Sequence, residues 1–498
     1  MISTRGKRVV VAGASGFVGR GLPEELSSRF ELIGLSRDPE RTGRKTAGTG
    51  YRWRKSDLFF RAQTRRALRG ADAAVYLVHS LLPSARLTQG QVGDLDIICA
   101  DNFGRAAEFH GLDHIVHLSH MPAETTDATS DFLSSRPEVE ATLASYRTPV
   151  TTLRASMVVG AGGSVTDVLS ALTRQLPAIL SPRWARTRTS PIARADVVAL
   201  IAHLIDQTGF SGRAHHIGGP EAVTFERMLR ITADLTGRDR RFLSIPVRAP
   251  GWSARALSLL TGRPRAAMRL LVDSLRADTS VEDHSLFDEF GLEAQSVESM
   301  LREAHETGRQ SAELPATTDD EETAALVGPR PRNEVRAVHR LEQPTEHNAA
   351  WVSREYRRWL PQFFGHFIEV RRSGETTIVF GVRFFGWPLL KLEFDDEAST
   401  EHRQLYWIRG GLLARGGGDG RLEFREILGG RRILAAIHGY RPRLPWVLYL
   451  ATQARIHHFT MRAFNRHLTG LAESTDTPGP ARLTDASQHP TEPHEPSE

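Results

Sequence analysis

The chain has 498 residues, enough for a large core and more than one domain, and its formal net charge of +5 comes from arginine spread along the whole length. Its single cysteine, Cys99, excludes an internal disulfide and a cysteine metal cluster, so a reduced, cytosolic setting is expected. The opening MISTRGKR has no apolar core for a signal peptide, and no apolar run reaches the roughly 18 residues of a membrane-crossing helix, so a leader and a span are not expected. The diffuse basic excess permits contact with anionic lipid or phosphate, and nucleic acid is not an expected partner.

Val9 to Gly19, VVVAGASGFVG, reads as a buried parallel strand running into a tight turn and a helix start. Gly13 lets the chain turn, Gly16 removes a Cβ that would hold a pyrophosphate off the backbone, and Gly19 allows close helix packing. The helix N-terminus then aims N–H groups at the phosphates. Pro23 requires either a kink in that helix or a displaced start. A second strand, Phe30 to Leu35, ends at Ser36 and Arg37, where a dinucleotide's ribose would lie. A guanidinium there favours the 2′-phosphate of NADP over NAD, with Ser36 a second donor and Arg41 or Arg44 nearby, while Asp38 either pairs with Arg37 or reaches the ribose.

The GxxGxxG spacing resembles the fingerprint of the extended and atypical short-chain dehydrogenase/reductase families, including NmrA-like proteins. The resemblance implies a doubly wound α/β Rossmann domain and a nucleotide held by Gly13, Ser15, Gly16, Phe17, Val18 and Gly19. It also implies that Asp57 and Leu58, after the third strand Tyr51 to Arg54, flank the adenine; read from the residues alone, Asp57 is equally a helix N-cap. The fourth strand, Ala73 to Val78, ends in His79 and Ser80, which border the crevice with Val78. Asn102 to Ser119 resembles the family's fourth helix and fifth strand, and Ser119 falls at the catalytic serine position.

The family's Tyr-x-x-x-Lys pair is missing. Placing Glu140 on the family's acidic residue puts Arg136 at the lysine and Phe132 at the tyrosine. Phe132 has no proton to transfer, and Arg136 holds a ribose or phosphate oxygen without acting as an acid or base. Substitute donors are Ser119, His120 and Tyr146. The resemblance therefore implies NADP(H) binding without the usual dehydrogenase chemistry.

Val150 to Val159 is the sixth strand; Asp196 reads as an N-cap, and Arg183, Trp184, Arg186 and Arg188 form a basic cluster. Thr224 and Gly237 bracket a helix in a mainly helical, substrate-side lobe. Ala249 to Leu260 is amphipathic, with Trp252 lining a cleft or sealing the core. The RASMVVGAGG, LPAILSPRWARTRTSPIA and IGGPEAVTF segments resemble a bacterial branch in which such a domain, here residues 1–305, is joined to a β-rich module. A flexible linker is expected over 306–348 and a disordered tail over 473–498. Between them, 349–472 reads as α+β: a helix with Trp351, Tyr356, Trp359 and Leu360, six alternating strands with one apolar face, and a long helix from Leu444 to Leu468. That helix either closes over an apolar ligand, packs a filled core, or rests its basic face on a membrane. His457 and His458 diverge by about 100°, so no metal site is expected from them. The expected partners are the nucleotide and an apolar small molecule, a protein, or the inner face of a membrane. The expected roles are a cofactor-dependent regulator, sensor or assembly factor; a reductase of an apolar or quinone-like substrate; or a lipid carrier.

Overall fold

The computed structural model describes residues 6–45, 50–79, 85–122, 131–245, 250–313, 332–342 and 347–475. The strands of its two large sheets are β1 (Arg8–Ala12), β2 (Glu31–Ser36), β3 (Tyr51–Lys55), β4 (Ala73–Tyr76), β5 (Ala85–Gln89), β6 (His114–His120), β7 (Val150–Ala155), β8 (Ala214–Ile217), β9 (Arg332–Leu341), β10 (Ile368–Ser373), β11 (Thr377–Val382), β12 (Pro388–Phe394), β13 (Arg403–Gly410), β14 (Arg421–Ile427) and β15 (Arg432–Tyr440).

The first sheet is parallel throughout, in the order β8-β7-β6-β4-β1-β2-β3. Val9, Val10 and Val11 are fully buried because helices cover both faces, which is why β1 is a continuous apolar run. Strand order reverses between β1 and β4, so the chain leaves β1 at the switch point where open α/β sheets bind ligands. Past the turn the chain makes a 3₁₀ turn, Gly19–Gly21, and the α-helix proper is Leu22–Leu26. Pro23 thus sits in a first turn, where no N–H is needed, and the displaced start is the alternative observed.

The second sheet runs β10-β11-β12-β13-β14-β15-β9-β5. Six of its strands are the antiparallel set expected from alternation. The other two correct the domain plan: β9 lies inside the expected linker and pairs antiparallel with β15, while β5, from the N-terminal part, pairs parallel with β9. The Val297–Glu313 helix also runs into the expected linker. Residues 314–331, 343–346 and 476–498 of the expected linker and tail lie outside the described residues. The expected long C-terminal helix is two, Trp446–Ala451 and Gln453–Thr475, broken at Thr452, whose φ of −121° and ψ of −81° leave the helical region.

Both faces of this second sheet are covered. On one, Phe424, Tyr406 and Ile378 pack against Val352, Trp359 and Leu360 of the Ala349–Phe363 helix and Phe464 and Leu468 of the Gln453–Thr475 helix. A cavity of about 400 Å³ lies beside this packing, lined by Trp351, Arg357, Val370 and Ile378. On the other, Val338, Leu434 and Ala436 share a core with Tyr76, Phe103 and Ile115 of the parallel-sheet domain. The Val92–His110 helix lies between the two sheets, and every residue from Gly93 to Gly104 is buried.

Candidate functional site

The glycine turn is built for an anion. Gly13 adopts φ +92°, and a Cβ on Gly19 would stand 2.4 Å from the Gly13 carbonyl oxygen, so neither position accepts a side chain without backbone movement. The Gly16 N–H donates to the Gly13 carbonyl at 2.9 Å, closing the turn. Among the described residues, the N–H groups of Ser15, Phe17 and Val18 have no backbone acceptor, and Ser15 and Gly16 are exposed. Of these three residues Ser15 is exposed, Phe17 half-buried and Val18 buried; backbone N–H groups in such a turn can donate to phosphate oxygens. Phe17 is held from across the crevice by Arg194, whose guanidinium lies 5.6 Å from its ring centre.

At the end of β2, the Ser36 hydroxyl bonds to the Thr42 hydroxyl at 2.6 Å and accepts the Asp38 N–H at 3.1 Å. Asp38 accepts the Arg41 N–H and so starts the Pro39–Lys45 helix, which explains an acid beside Arg37 without a ribose contact. Arg37 and Arg41 are half-buried at the crevice edge. The side chain of Arg44 lies outside the described residues, as does Ser80, while Val78 is half-buried and His79 exposed.

Two expected contacts are turned elsewhere. The buried Asp57 carboxylate pairs with Arg336 of β9 at 2.5 Å and accepts the Phe59 N–H, while Phe60 caps the next helix, so Asp57 is neither open to an adenine nor an N-cap. Leu58 is also buried, its carbonyl accepting the Asn102 amide at 2.7 Å. Arg136 is buried against the Asp96 carboxylate and donates to the Ser135 hydroxyl at 3.3 Å, so its charge is spent inside the protein. Phe132 belongs to the short Asp131–Ser134 helix, its side chain lying outside the described residues.

Of the substitute donors, the Ser119 hydroxyl is buried at the end of β6 with no hydrogen-bonding partner among the described residues. His120 follows it, lowered to about 4 by burial and then by His79 and Arg136, and is therefore neutral near pH 7. Tyr146 donates its hydroxyl to Asp101 on the face covered by the second sheet, away from the crevice, and burial and Asp101 raise its pKa.

Elsewhere, Asp196 lies inside the first turn of the Arg194–Leu204 helix, with Ala193 as cap, and accepts the Gln295 N–H at 2.9 Å. Thr224 caps its helix by accepting the Arg227 N–H, and Gly237 follows with φ +63°. Trp184 packs on Phe225 while Arg183, Arg186 and Arg188 are exposed. Trp252 is exposed, with Ala254 and Leu257 of its helix sealing the core.

The residues that tie the site to the second sheet were not foreseen. Arg425 donates to Asp101 at 2.5 Å and to Asn102 at 2.8 Å, beside Glu423 and Arg403. Arg421 donates to the Phe59 carbonyl at 3.0 Å, and Arg340 bridges Asp94 and Glu138. The arginines hold Asp101 and Glu423 below the usual carboxylate range against the opposing effect of burial. The period-two spacing of Arg421, Glu423 and Arg425 was the available signal, since it places all three on one face of β14.

A (4-alkanoyl-5-oxo-2,5-dihydrofuran-3-yl)methyl phosphate reductase of Streptomyces griseus is 30% identical over 249 residues, covering 48% of this chain and 78% of that protein. This chain belongs to the NAD(P)H-binding, NmrA-like family. The NAD(P)H-binding domain of that family matches residues 13–160. The auxiliary protein GraX of Staphylococcus aureus is 32% identical over 111 residues, and the chain spans only 36% of that protein's length. Among solved structures, an NADPH-dependent quinone oxidoreductase of Escherichia coli in complex with NADPH has 19% identity, covers 59% of this chain and 98% of its own, and superposes with a TM-score of 0.47. NAD(P)H fits the family site in this chain, because the Ser15–Val18 turn leaves backbone N–H groups without backbone acceptors among the described residues. When bound, the nicotinamide supplies hydride chemistry.

Proposed function

We propose that this NmrA-like protein is an NADPH-dependent regulator, sensor or assembly factor whose nucleotide domain acts on its C-terminal module. The observation that carries the reading is β5. After eight intervening residues beyond β4, the chain becomes β5, a strand of the second sheet hydrogen-bonded to β9, which also carries the Arg336 partner of Asp57. A nucleotide bound at the crevice therefore has a route along the chain to the module. Phe132 at the family tyrosine position and the internal pairing of Arg136 argue for binding in preference to standard turnover. Arg37, with Arg41, supports NADP over NAD. The glycine turn takes the pyrophosphate through Ser15, Phe17 and Val18.

A second reading, reduction of an apolar or quinone-like acceptor, is favoured by the unpartnered Ser119 hydroxyl at the end of β6. In that case Ser119 holds the acceptor oxygen. Calorimetric titration with NADPH and NADH, followed by NADPH oxidation against carbonyls and quinones, separates the readings. NADPH binding without oxidation, with altered hydrogen exchange in β5 and β9, supports the regulator. Oxidation that is lost in Ser119→Ala supports the reductase. Any partner of the module, whether an apolar small molecule, a protein or a membrane, belongs to the same reading.

A further inference from the structure

One end of the C-terminal module is apolar, exposed and continuous. The β11–β12 turn presents Phe384, Phe385 and Trp387, with Phe384 77% exposed and Phe385 stacked on Trp387. Next to it Leu412 is exposed, its N–H donating to the Pro388 carbonyl. Leu413 then links this edge to Gln453, across the break from the Trp446–Ala451 helix, which exposes Val447 (78%), Leu448 and Leu450. On the other side, the Arg383 N–H donates to the Phe367 carbonyl, and Phe363 meets the exposed Phe459. Isolated exposed apolar residues need no explanation, but an aromatic and aliphatic rim of this extent does.

The charge around it is mainly positive, with Glu369 beside the turn paired to Arg371. From Ile427 to Ala472 the sequence carries seven arginines and no carboxylate. Arg383, Arg415, Arg443 and Arg455 are exposed around the rim, and none is ion-paired among the described residues. Two copies meeting through this rim would oppose like charges, whereas a bilayer of anionic lipid offers an apolar interior beneath a negative surface.

We propose that this rim docks the protein onto an anionic lipid bilayer, with the Phe384–Trp387 turn and the Val447 face of the Trp446–Ala451 helix entering the interface and the surrounding arginines meeting the headgroups. The proposal deepens the reading above by naming the module's partner. The nucleotide site is read separately by NADPH titration, so either can fail alone.

The test is cosedimentation of the full chain with vesicles of phosphatidylcholine, alone or mixed with phosphatidylglycerol. Binding is expected only to the mixed vesicles and should weaken with salt. Phe384→Asp and Val447→Asp should each abolish it without lowering the melting temperature, since both side chains are exposed. Arg383→Glu and Arg443→Glu should each reduce partitioning, by about fivefold or more per site. Equal binding to both vesicle types, no binding to the mixed ones, or full binding by the aspartate variants would overturn the proposal. So would a dimer in sedimentation velocity that Phe384→Asp dissociates when the parent ignores the vesicles.

Discussion

Gly16 and Gly19 stand three residues apart in different surroundings, and the difference separates binding from folding. A Cβ on Gly19 would lie 2.4 Å from the Gly13 oxygen and 2.7 Å from the Ala14 Cα, both backbone atoms that cannot move aside. Gly19→Ala should therefore destabilise the fold by about 1–3 kcal/mol in thermal melts, as overpacking does. Gly16 is exposed, and its Cβ would meet only the Gly13 oxygen, at 3.0 Å. Gly16→Glu should leave melting close to the parent while calorimetry records no nucleotide binding; tight binding in that variant would remove the phosphate site. Arg37→Glu should weaken NADPH far more than NADH, and an equal loss would remove the basis for preferring NADP. The tight turn itself was legible because a strand followed by spaced glycines has few structural uses. The ion pairs of Asp57 and Arg136 were not legible because their partners lie far away in the sequence: 279 residues separate Asp57 from Arg336.

Among the elements, the six strands of the C-terminal meander were legible from period-two alternation, and β9 was not. Its Glu334, Arg336 and Arg340 fall in the expected flexible linker, yet they face Arg441, Asp57, Asp94 and Glu138. Local composition does not distinguish a buried, paired arginine from a wet one. The same pairing gives a stability test. Arg425→Ala would leave Asp101 and Glu423 buried beside fewer cations, an effect of about 3–5 kcal/mol for a broken buried pair. Denaturant unfolding should show that loss; a change below about 1 kcal/mol would mean that water replaces the guanidinium. Acid should act in two stages. His117, His120 and His457 are lowered to about 4 by burial, so the folded state disfavours their protonation. Their contribution is complete above the ordinary histidine value near 6.5 and drains away as pH falls from there toward 4. Asp101 and Glu423, also depressed, add a second loss below the ordinary carboxylate range. Melting temperature should fall through the first window, and His457→Leu should flatten that part of the profile.

For the whole molecule, the two sheets share a core, so the modular plan expected from the sequence does not describe how the chain holds together. Val338, Leu434 and Ala436 complete the cluster that contains Tyr76 and Phe103. A chain ending at residue 313 would expose that surface, leave Asp57 without Arg336, and leave Asp101 with Arg105 but without Arg425. It should melt well below the full chain or precipitate; a stable monomer with unchanged melting would show that the interface adds little.

The β5–β9 pairing also has a consequence during synthesis. A strand from the first hundred residues waits for a parallel neighbour made after residue 330, and Asp57 waits 279 residues for Arg336. At about 5–20 residues per second, translation leaves the acidic, apolar face of the Val92–His110 helix uncovered for tens of seconds. The nascent N-terminal half is thus a client for whatever shields apolar surface at the ribosome, and its exposure ends when the last strands of the second sheet emerge.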